Sequence, residues 1–155
     1  MCGIFIATSP SGSSFPIAEI LQTIRHRGPD DSGVFISDDQ TVHLGHVRLS
    51  IIDLSKSGHQ PMADFTDRFL ISYNGEIYNY LELKKYIEGK YGDVKWKSST
   101  DTEVILEGFA REGIDFLSRL NGIFALGIFD RLEKSLHVLR DPLGIKPLFL
   151  SEQNG

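Results

Sequence analysis

The amino-acid sequence predicts a layered α+β domain, and three observations support that class. Several short segments carry apolar side chains on both faces of a strand, which is typical of sheets covered on both sides. Two of them, residues 122–129 and 136–139, flank a polar turn and predict a hairpin. Strands come before, between and after the helical segments, which favours layered α+β over a doubly wound parallel sheet.

The first half of the chain supplies three predicted strands and one helix. Residues 3–8 form a compact apolar run, and residues 33–37 form a second short one. Residues 41–52 predict a longer strand with apolar residues on both faces. Residues 17–24 predict a helix because four apolar residues fall on one side of it: Ile17, Ile20, Leu21 and Ile24.

The second half adds a strand at residues 68–73, two helices and the hairpin. Asn79 is followed three residues later by Glu82, the pattern of a capping box, and predicts a helix to about Ile87, with Gly89 near its end. Thr100 and Glu103 repeat that pattern and predict a second helix, which continues to residue 111 and stops at Gly113.

Length and composition limit the classes of protein. The 155 residues fit one domain, 1–155, and the net charge of −5 disfavours binding to nucleic acid. No apolar run approaches the roughly 18 residues of a membrane helix, and the N-terminus lacks a signal peptide, so we expect a soluble cytoplasmic protein. His43 and His46 fall on opposite faces of a strand, which argues against a shared metal.

The single cysteine is residue 2, which excludes a disulfide within the chain and a cysteine-based zinc site. Removal of Met1 would leave Cys2 with both a thiol and a free α-amine. An α-amine titrates near ~7.7–8.0, so it could act as general base for the adjacent sulfur. The alternative is that cysteine at position 2 is accidental.

A thiol that attacks an amide needs two donors for the oxyanion that forms. Asn74 and Gly75 follow the strand 68–73 and precede a helix, so the Asn side-chain amide and the Gly N–H are candidates. The alternative is an ordinary Asn-Gly turn.

Three charged residues are candidates for binding the two ends of an amino acid. Arg48 lies within a predicted strand, where its guanidinium needs a partner: a substrate carboxylate or an internal Asp or Glu. Asp101 could receive an α-ammonium, or simply interact favourably with its helix N-terminus. Glu76 could share that ammonium, or be a solvated turn residue.

Six motifs occur in order along the chain. They are Met1-Cys2-Gly3-Ile4, residues 25–30 (RHRGPD), 48–53 (RLSIID), 74–79 (NGEIYN), 100–103 (TDTE) and 140–148 (RDPLGIKPL). This set resembles the N-terminal glutaminase domain of glutamine-hydrolysing asparagine synthetases, which are class II amidotransferases of the N-terminal-nucleophile (Ntn) hydrolase superfamily. The Arg-Leu-Ser-Ile form points to the asparagine synthetase branch rather than to the glucosamine-phosphate synthase or purine amidotransferase branches.

The resemblance implies a role for each matching residue. Cys2 would be the nucleophile with its own α-amine as base, and Asn74 with Gly75 would form the oxyanion hole. Arg48 would bind the α-carboxylate, and Asp101 with Glu76 would bind the α-ammonium. The wall of the glutamine pocket would be Leu49, Ser50, Ile51 and Ile52. Arg27 would help to fix the N-terminal segment.

The resemblance also implies a four-layer αββα sandwich whose last strands, and whose ATP- and Mg-using synthetase domain, are missing from this chain. We therefore expect a glutaminase without a cofactor of its own, whose partners are glutamine and a synthetase domain or subunit that takes up ammonia; a homodimer stays open. Two alternatives also stay open: a non-catalytic glutamine- or partner-binding module from a truncated gene, and a glutaminase that serves another carboxylate, such as a sugar acid.

Overall fold

Two antiparallel sheets and four helices make up the computed structural model, which describes residues 1–9, 11–12 and 14–152. The first sheet has the order β1-β3-β2, with β1 Gly3–Thr8, β2 Asp31–Ile36 and β3 Val42–Arg48. The second has the order β4-β5-β6-β7, with β4 Met62–Ala63, β5 Phe69–Ile77, β6 Gly122–Asp130 and β7 Ser135–Arg140. The helices are α1 Ile17–Thr23, α2 Tyr80–Tyr91, α3 Asp101–Glu112 and α4 Ile114–Leu117. None of these described helices is long and apolar enough to cross a membrane.

The apolar side chains form three clusters that separate four layers. On the outer face of the first sheet, Ile17 and Leu21 of α1 pack against Val47. Between the sheets, Leu44 meets Leu70 and Phe129. The largest cluster joins the other face of the second sheet to α2, α3 and α4, and includes Ile71, Leu126, Ile105 and Phe116. The layer order is therefore α-β-β-α, and the predicted four-layer sandwich is confirmed.

The strand β3 is buried along its whole length because both of its faces are covered. His43 points toward the α1 side, where its ring meets Phe15 at 5.1 Å. His46 points between the sheets, and its Nε2 lies 3.0 Å from the Tyr73 carbonyl oxygen. Burial lowers the pKa of His46 to about 4. The two histidines lie on opposite faces as predicted, and the described residues contain no cluster of three or more His, Cys, Asp or Glu that could hold a metal.

Two strand ends differ from the prediction by four residues, and the other predicted strand boundaries differ by no more than two. The predicted strand 41–52 ends at Arg48, because the pairing of β3 with β1 starts at Gly3 and its pairing with β2 starts at Asp31. The predicted strand 68–73 continues to Ile77, because β6 supplies a paired backbone as far as Gly122. Residues 49–52 therefore leave the first sheet, whereas residues 74–77 stay within the second.

The two helix predictions had different outcomes. At α3 the Thr100 side chain accepts from the Glu103 N–H and Gly113 follows the last turn, as predicted. At α2 the capping box is wrong, because the Asn79 side chain instead donates to Arg119 O and accepts from Asn121 N–H. That helix also continues past Gly89 to Tyr91, and it ends at Gly92, whose φ of 82° suits a residue without Cβ.

Candidate active site

The N-terminal segment places Cys2 beside the end of β3. Its Sγ lies 3.4 Å from the Leu49 backbone nitrogen, which donates to it, and 3.8 Å from the Leu49 carbonyl oxygen. The Arg27 Nε donates to the Cys2 carbonyl oxygen at 3.1 Å. The chain before β1 is thus held at both its sulfur and its carbonyl, and Arg27 fixes the N-terminal segment as expected.

The motif at residues 25–30 wraps the end of β3. A Cβ on Gly28 would lie 2.4 Å from the Val47 carbonyl carbon and oxygen, so only glycine allows this approach. The Asp30 N–H donates to Arg48 O, and its carboxylate accepts from the Ser50 N–H at 2.8 Å. These contacts set the direction in which the chain leaves the sheet after Arg48.

One pocket collects nine of the ten residues that sequence reasoning assigned to the site. They are Cys2, Arg48, Leu49, Ile51, Ile52, Asn74, Gly75, Glu76 and Asp101. Ser50 is the exception, because it does not line the pocket and its N–H faces Asp30. The pocket lies where the ends of β3 and β5 meet the start of α3.

Asn74 and Gly75 lie inside β5 and not in a turn after it, so the alternative of a plain Asn-Gly turn is excluded. Hydrogen bonding alternates along an antiparallel pair. The bond from the Tyr78 N–H to Asn121 O puts Gly75, opposite Phe124, at a non-hydrogen-bonded position. The N–H of Gly75 therefore points away from β6.

The neighbouring outward N–H groups of β5 are both occupied. The Tyr73 N–H donates to the Gln60 side-chain oxygen at 2.7 Å, and the Ile77 N–H donates to the Asp101 carboxylate at 3.0 Å. The strand β4 pairs only with Leu70 and Ile71, so it ends before it reaches Gly75. The Gly75 N–H, between two satisfied donors, is left facing the pocket.

The side-chain amide of Asn74 is the second donor at this point. Asn74 is only 6% exposed and lines the pocket, and its amide has no hydrogen-bond partner in the part of the chain that the structure describes. Its side-chain atoms are not among the fully buried polar atoms without a partner, so the amide keeps access to the pocket that it lines. A ligand oxygen in the pocket could accept a hydrogen bond from it, and the Gly75 N–H is on the adjacent residue.

The guanidinium of Arg48 is buried and holds the loop that follows β3. Its Nη1 donates to Ser55 O at 2.9 Å and its Nη2 donates to Asp53 O. A Cβ on Gly58 would lie 2.0 Å from Arg48 Nη2, so that glycine makes room for the guanidinium. Among the described residues no Asp or Glu lies within ion-pair distance of it, which removes the internal salt-bridge alternative. Its remaining N–H groups are available to a carboxylate in the pocket.

The carboxylate of Asp101 is buried at the first turn of α3. It accepts from the Tyr73 hydroxyl at 2.7 Å, the Ile77 N–H and the Thr102 N–H. Burial raises the pKa of Asp101, and burial together with Asp101 raises that of Tyr73. Asp101 therefore does more than interact with the N-terminus of its own helix. Its hydrogen bonds to Tyr73 and Ile77 fix the carboxylate against β5, the strand that carries the Gly75 N–H. Glu76 is exposed at the rim of the pocket.

Besides Met1, seven other residues line the pocket that sequence reasoning did not assign to the site. They are Asp53, Gly58, Gln60, Tyr73, Thr100, Thr102 and Lys146. Asp53 accepts from Ser55 and from Ser99, which joins the loop to the segment before α3, and these hydrogen bonds lower its pKa to about 2. An Asp two residues before Ser is a local turn signal that could have indicated this contact. No local sequence pattern indicates that Gln60 lines the pocket, because its hydrogen-bond partners, Tyr73 and Thr102, are distant in sequence.

Comparison with known proteins gives a family match and several relatives. A model of the glutamine amidotransferase domain matches residues 1–155. Asparagine synthetase [glutamine-hydrolyzing] 1 of Bacillus subtilis is 40% identical over 89% of this chain and 21% of its own length. Asparagine synthetase B [glutamine-hydrolyzing] of Escherichia coli is 37% identical over 97% of this chain and 27% of its own length. The chain spans no more than about a third of the curated relatives it matches.

A solved structure also matches this fold. The glutamine phosphoribosylpyrophosphate amidotransferase of B. subtilis superposes with a TM-score of 0.69 over 94% of this chain and 38% of that chain. Its sequence identity to this chain is 21%, so the match speaks for the fold alone.

Proposed function

The chain belongs to the glutamine amidotransferase domain family, and we propose that it hydrolyses the side-chain amide of glutamine through Cys2. The observation that carries this proposal is the composition of one pocket. The only thiol, two donors on β5 and the charged groups of Arg48 and Asp101 all line it. A nucleophile, an oxyanion site and groups for both ends of an amino acid are the parts that amide transfer needs.

The reaction begins after Met1 is removed, because the α-amine of Cys2 is then free. The amine takes the thiol proton, and the sulfur forms a bond to the amide carbon of glutamine. The Asn74 amide and the Gly75 N–H stabilise the oxyanion. The tetrahedral intermediate collapses, the C–N bond breaks, and the ammonium of Cys2 gives its proton to the departing amide nitrogen, which leaves as ammonia. Water then attacks the thioester, releases glutamate and restores the thiol.

The pocket wall supplies substrate recognition in this proposal. The free N–H groups of Arg48 bind the α-carboxylate, and Asp101 with Glu76 binds the α-ammonium. Leu49, Ile51 and Ile52 contact the aliphatic part of glutamine. Ser50 does not line the pocket in this proposal. Its N–H donates to the Asp30 carboxylate, and this hydrogen bond fixes the backbone direction of residues 49–52.

The released ammonia serves an acceptor outside this chain. The B. subtilis and E. coli relatives are named glutamine-hydrolysing asparagine synthetases. We therefore propose aspartate as the acceptor, in an ATP- and Mg-dependent synthetase domain or subunit, with this chain as the glutaminase half of asparagine synthesis in the cytoplasm. The chain itself takes no cofactor in this proposal. A single domain over residues 1–155 is consistent with the chain covering only 21% and 27% of the length of these two relatives.

The central experiment measures ammonia release from glutamine after mass spectrometry has confirmed the loss of Met1. Cys2→Ala is expected to reduce kcat by at least about 10³-fold, because no other thiol is present. The matched control keeps Cys2 but adds an uncleaved N-terminal extension, which locks the amine in a peptide bond and should also abolish turnover. Full activity of folded Cys2→Ala would contradict the mechanism. Saturable glutamine binding by calorimetry without ammonia release would instead support a binding module.

A further inference from the structure

The motif at residues 140–148 has no role in the chemistry above, yet its loop returns to the pocket. After β7, the buried carboxylate of Asp141 accepts from three backbone N–H groups: Phe124 at 3.2 Å, Ile145 at 2.8 Å and Lys146 at 2.9 Å. Burial raises the pKa of Asp141, but these hydrogen bonds outweigh it, so its pKa lies below the usual range. The ionised carboxylate fixes the backbone of this loop and with it the position of Lys146.

The side chain of Lys146 ends in the pocket beside the N-terminus. Lys146 is only 7% exposed, and its Nζ lies 2.8 Å from the Met1 sulfur. A thioether is a weak acceptor for an ammonium with three donors. Within the described residues no carboxylate lies at ion-pair distance from this Nζ. A buried charge with so poor a partner is costly, and it indicates a use in the pocket that it lines.

We propose that Lys146 is a positioning residue that favours loss of one proton from the thiol and α-ammonium of Cys2 once Met1 has been removed. This inference rests on the proposed function. Processing removes the thioether that Lys146 contacts and creates a terminal amine on the next residue. A nearby positive charge favours the deprotonated form of the pair, whether the proton leaves the sulfur or the nitrogen.

Other charged groups face the same pocket and set the background for this effect. Arg48 lines the pocket at the end of β3 and is positive like Lys146. Arg27 is also positive; it does not line the pocket, but its Nε donates a hydrogen bond to Cys2 O. Three carboxylates act in the opposite direction: Asp53 in the loop, Glu76 on β5 and Asp101 on α3. The Tyr73 hydroxyl is neutral, because burial raises its pKa. Changing Lys146 alone isolates its contribution, since the other groups stay in place.

The test uses the alkylation of Cys2 by iodoacetamide, followed by intact mass spectrometry of the processed chain. Cys2 is the only cysteine of the 155 residues, so the label reports on this thiol alone. Lys146→Met removes the charge and keeps the length, and it should move the midpoint of the rate–pH profile upward by about one pH unit. Lys146→Arg should restore the midpoint. Lys85→Met, an exposed lysine on α2 outside the pocket, should leave it unchanged.

The acid limb of kcat/KM for glutamine should shift by the same amount. An unchanged midpoint in folded Lys146→Met would overturn the inference, and so would a raised KM without any shift, which would mark Lys146 as a substrate ligand. Lys146→Gln serves as the second neutral variant if thermal unfolding shows that Lys146→Met is not folded. Alkylation of Cys2 needs no turnover, so it tests this inference separately from the proposed function. If Lys146→Met raises the alkylation midpoint as expected but the wild-type chain releases no ammonia from glutamine, only the proposed function is overturned.

Discussion

The strands β3 and β5 both deliver residues to the pocket, but they hold them in different ways. β5 runs on through Asn74 and Gly75 with β6 paired beside it as far as Ile77. β3 ends at Arg48, and the loop 49–58 that follows is held by polar contacts from Arg48 and Asp53. One wall of the pocket is a sheet, and the other is a loop held by hydrogen bonds that involve side chains.

The wall formed by β5 is also more buried than the wall formed by the loop. Asn74 is 6% exposed, whereas Ile51 is 73% and Leu54 is 80% exposed in the loop. A segment with little buried apolar surface opens at low free-energy cost. The proposed oxyanion donors, Asn74 and Gly75, are therefore expected to be in place before substrate binds, and the loop is expected to adjust around the bound substrate. Changes on β5 should lower kcat, and changes in the loop should raise KM.

The largest effect is expected on the β5 side, from Asn74→Ala. Loss of one oxyanion donor costs about 10²–10³-fold in kcat in other hydrolases, and the KM for glutamine should change little. Because the Asn74 amide has no partner in the described chain, the thermal midpoint should stay close to that of the wild type. Steady-state ammonia release and thermal unfolding measure the two quantities.

A matched control is the same substitution at Asn79, whose amide bonds to Arg119 O and Asn121 N–H outside the pocket. Asn79→Ala should lose about 1 kcal/mol of stability and keep its kcat. The opposite pattern, with a stable Asn79→Ala and a destabilised Asn74→Ala, would mean that Asn74 has a structural role instead.

The difference between the two walls also explains what could be predicted from the sequence. Helix α3 was predicted closely because its signals are local: Thr100 bonds to Glu103 three residues away, and Gly113 ends the helix. The pocket residues were found because their motifs match those of a known family. Their assignment needed no knowledge of which strand they occupy, and Asn74 was placed in the pocket although it was expected after a strand.

The boundaries of β3 and β5 could not be predicted, because a strand ends where its neighbours stop pairing. β3 loses its partners near Gly3 and Asp31, and β5 keeps its partner to Gly122, all of which are distant in sequence. The contact of Lys146 with Met1 joins the two ends of the described chain. No local pattern reports such a contact, which depends on the whole sandwich being formed.

A smaller effect is expected on the loop side, from Arg48→Lys. One ammonium cannot bond to Ser55 O and Asp53 O and also present a fork to a carboxylate. The KM for glutamine should rise about thirtyfold, on the order of 2 kcal/mol, with a smaller change in kcat. Amide hydrogen exchange should increase in residues 49–58 and stay unchanged in β5.

The control for this variant is Arg68→Lys, at a bidentate pair with Asp130 on the far end of β5 and β6. It removes the same kind of contact outside the pocket, so the KM should stay at the wild-type value. An Arg48→Lys enzyme with normal KM and normal exchange in the loop would show that the guanidinium does not link the loop to the substrate.

The smallest effect is expected from Asp53→Asn, which weakens the contact between the loop and Ser99 without touching Arg48. Hydrogen bonds from Ser55 and Ser99 hold the pKa of Asp53 at about 2, so its folded form favours the carboxylate. The contact is therefore present above pH 4 and is lost only as the pH falls toward 2. Asparagine keeps one acceptor and replaces the other with a donor, so KM should rise about threefold at both pH 5 and pH 7.

The control is Asp38→Asn, at an exposed carboxylate away from the pocket, which should leave both kcat and KM unchanged. If Asp53→Asn lowers kcat as strongly as Asn74→Ala does, then the loop also positions the reacting atoms, and the two walls do not divide catalysis from binding.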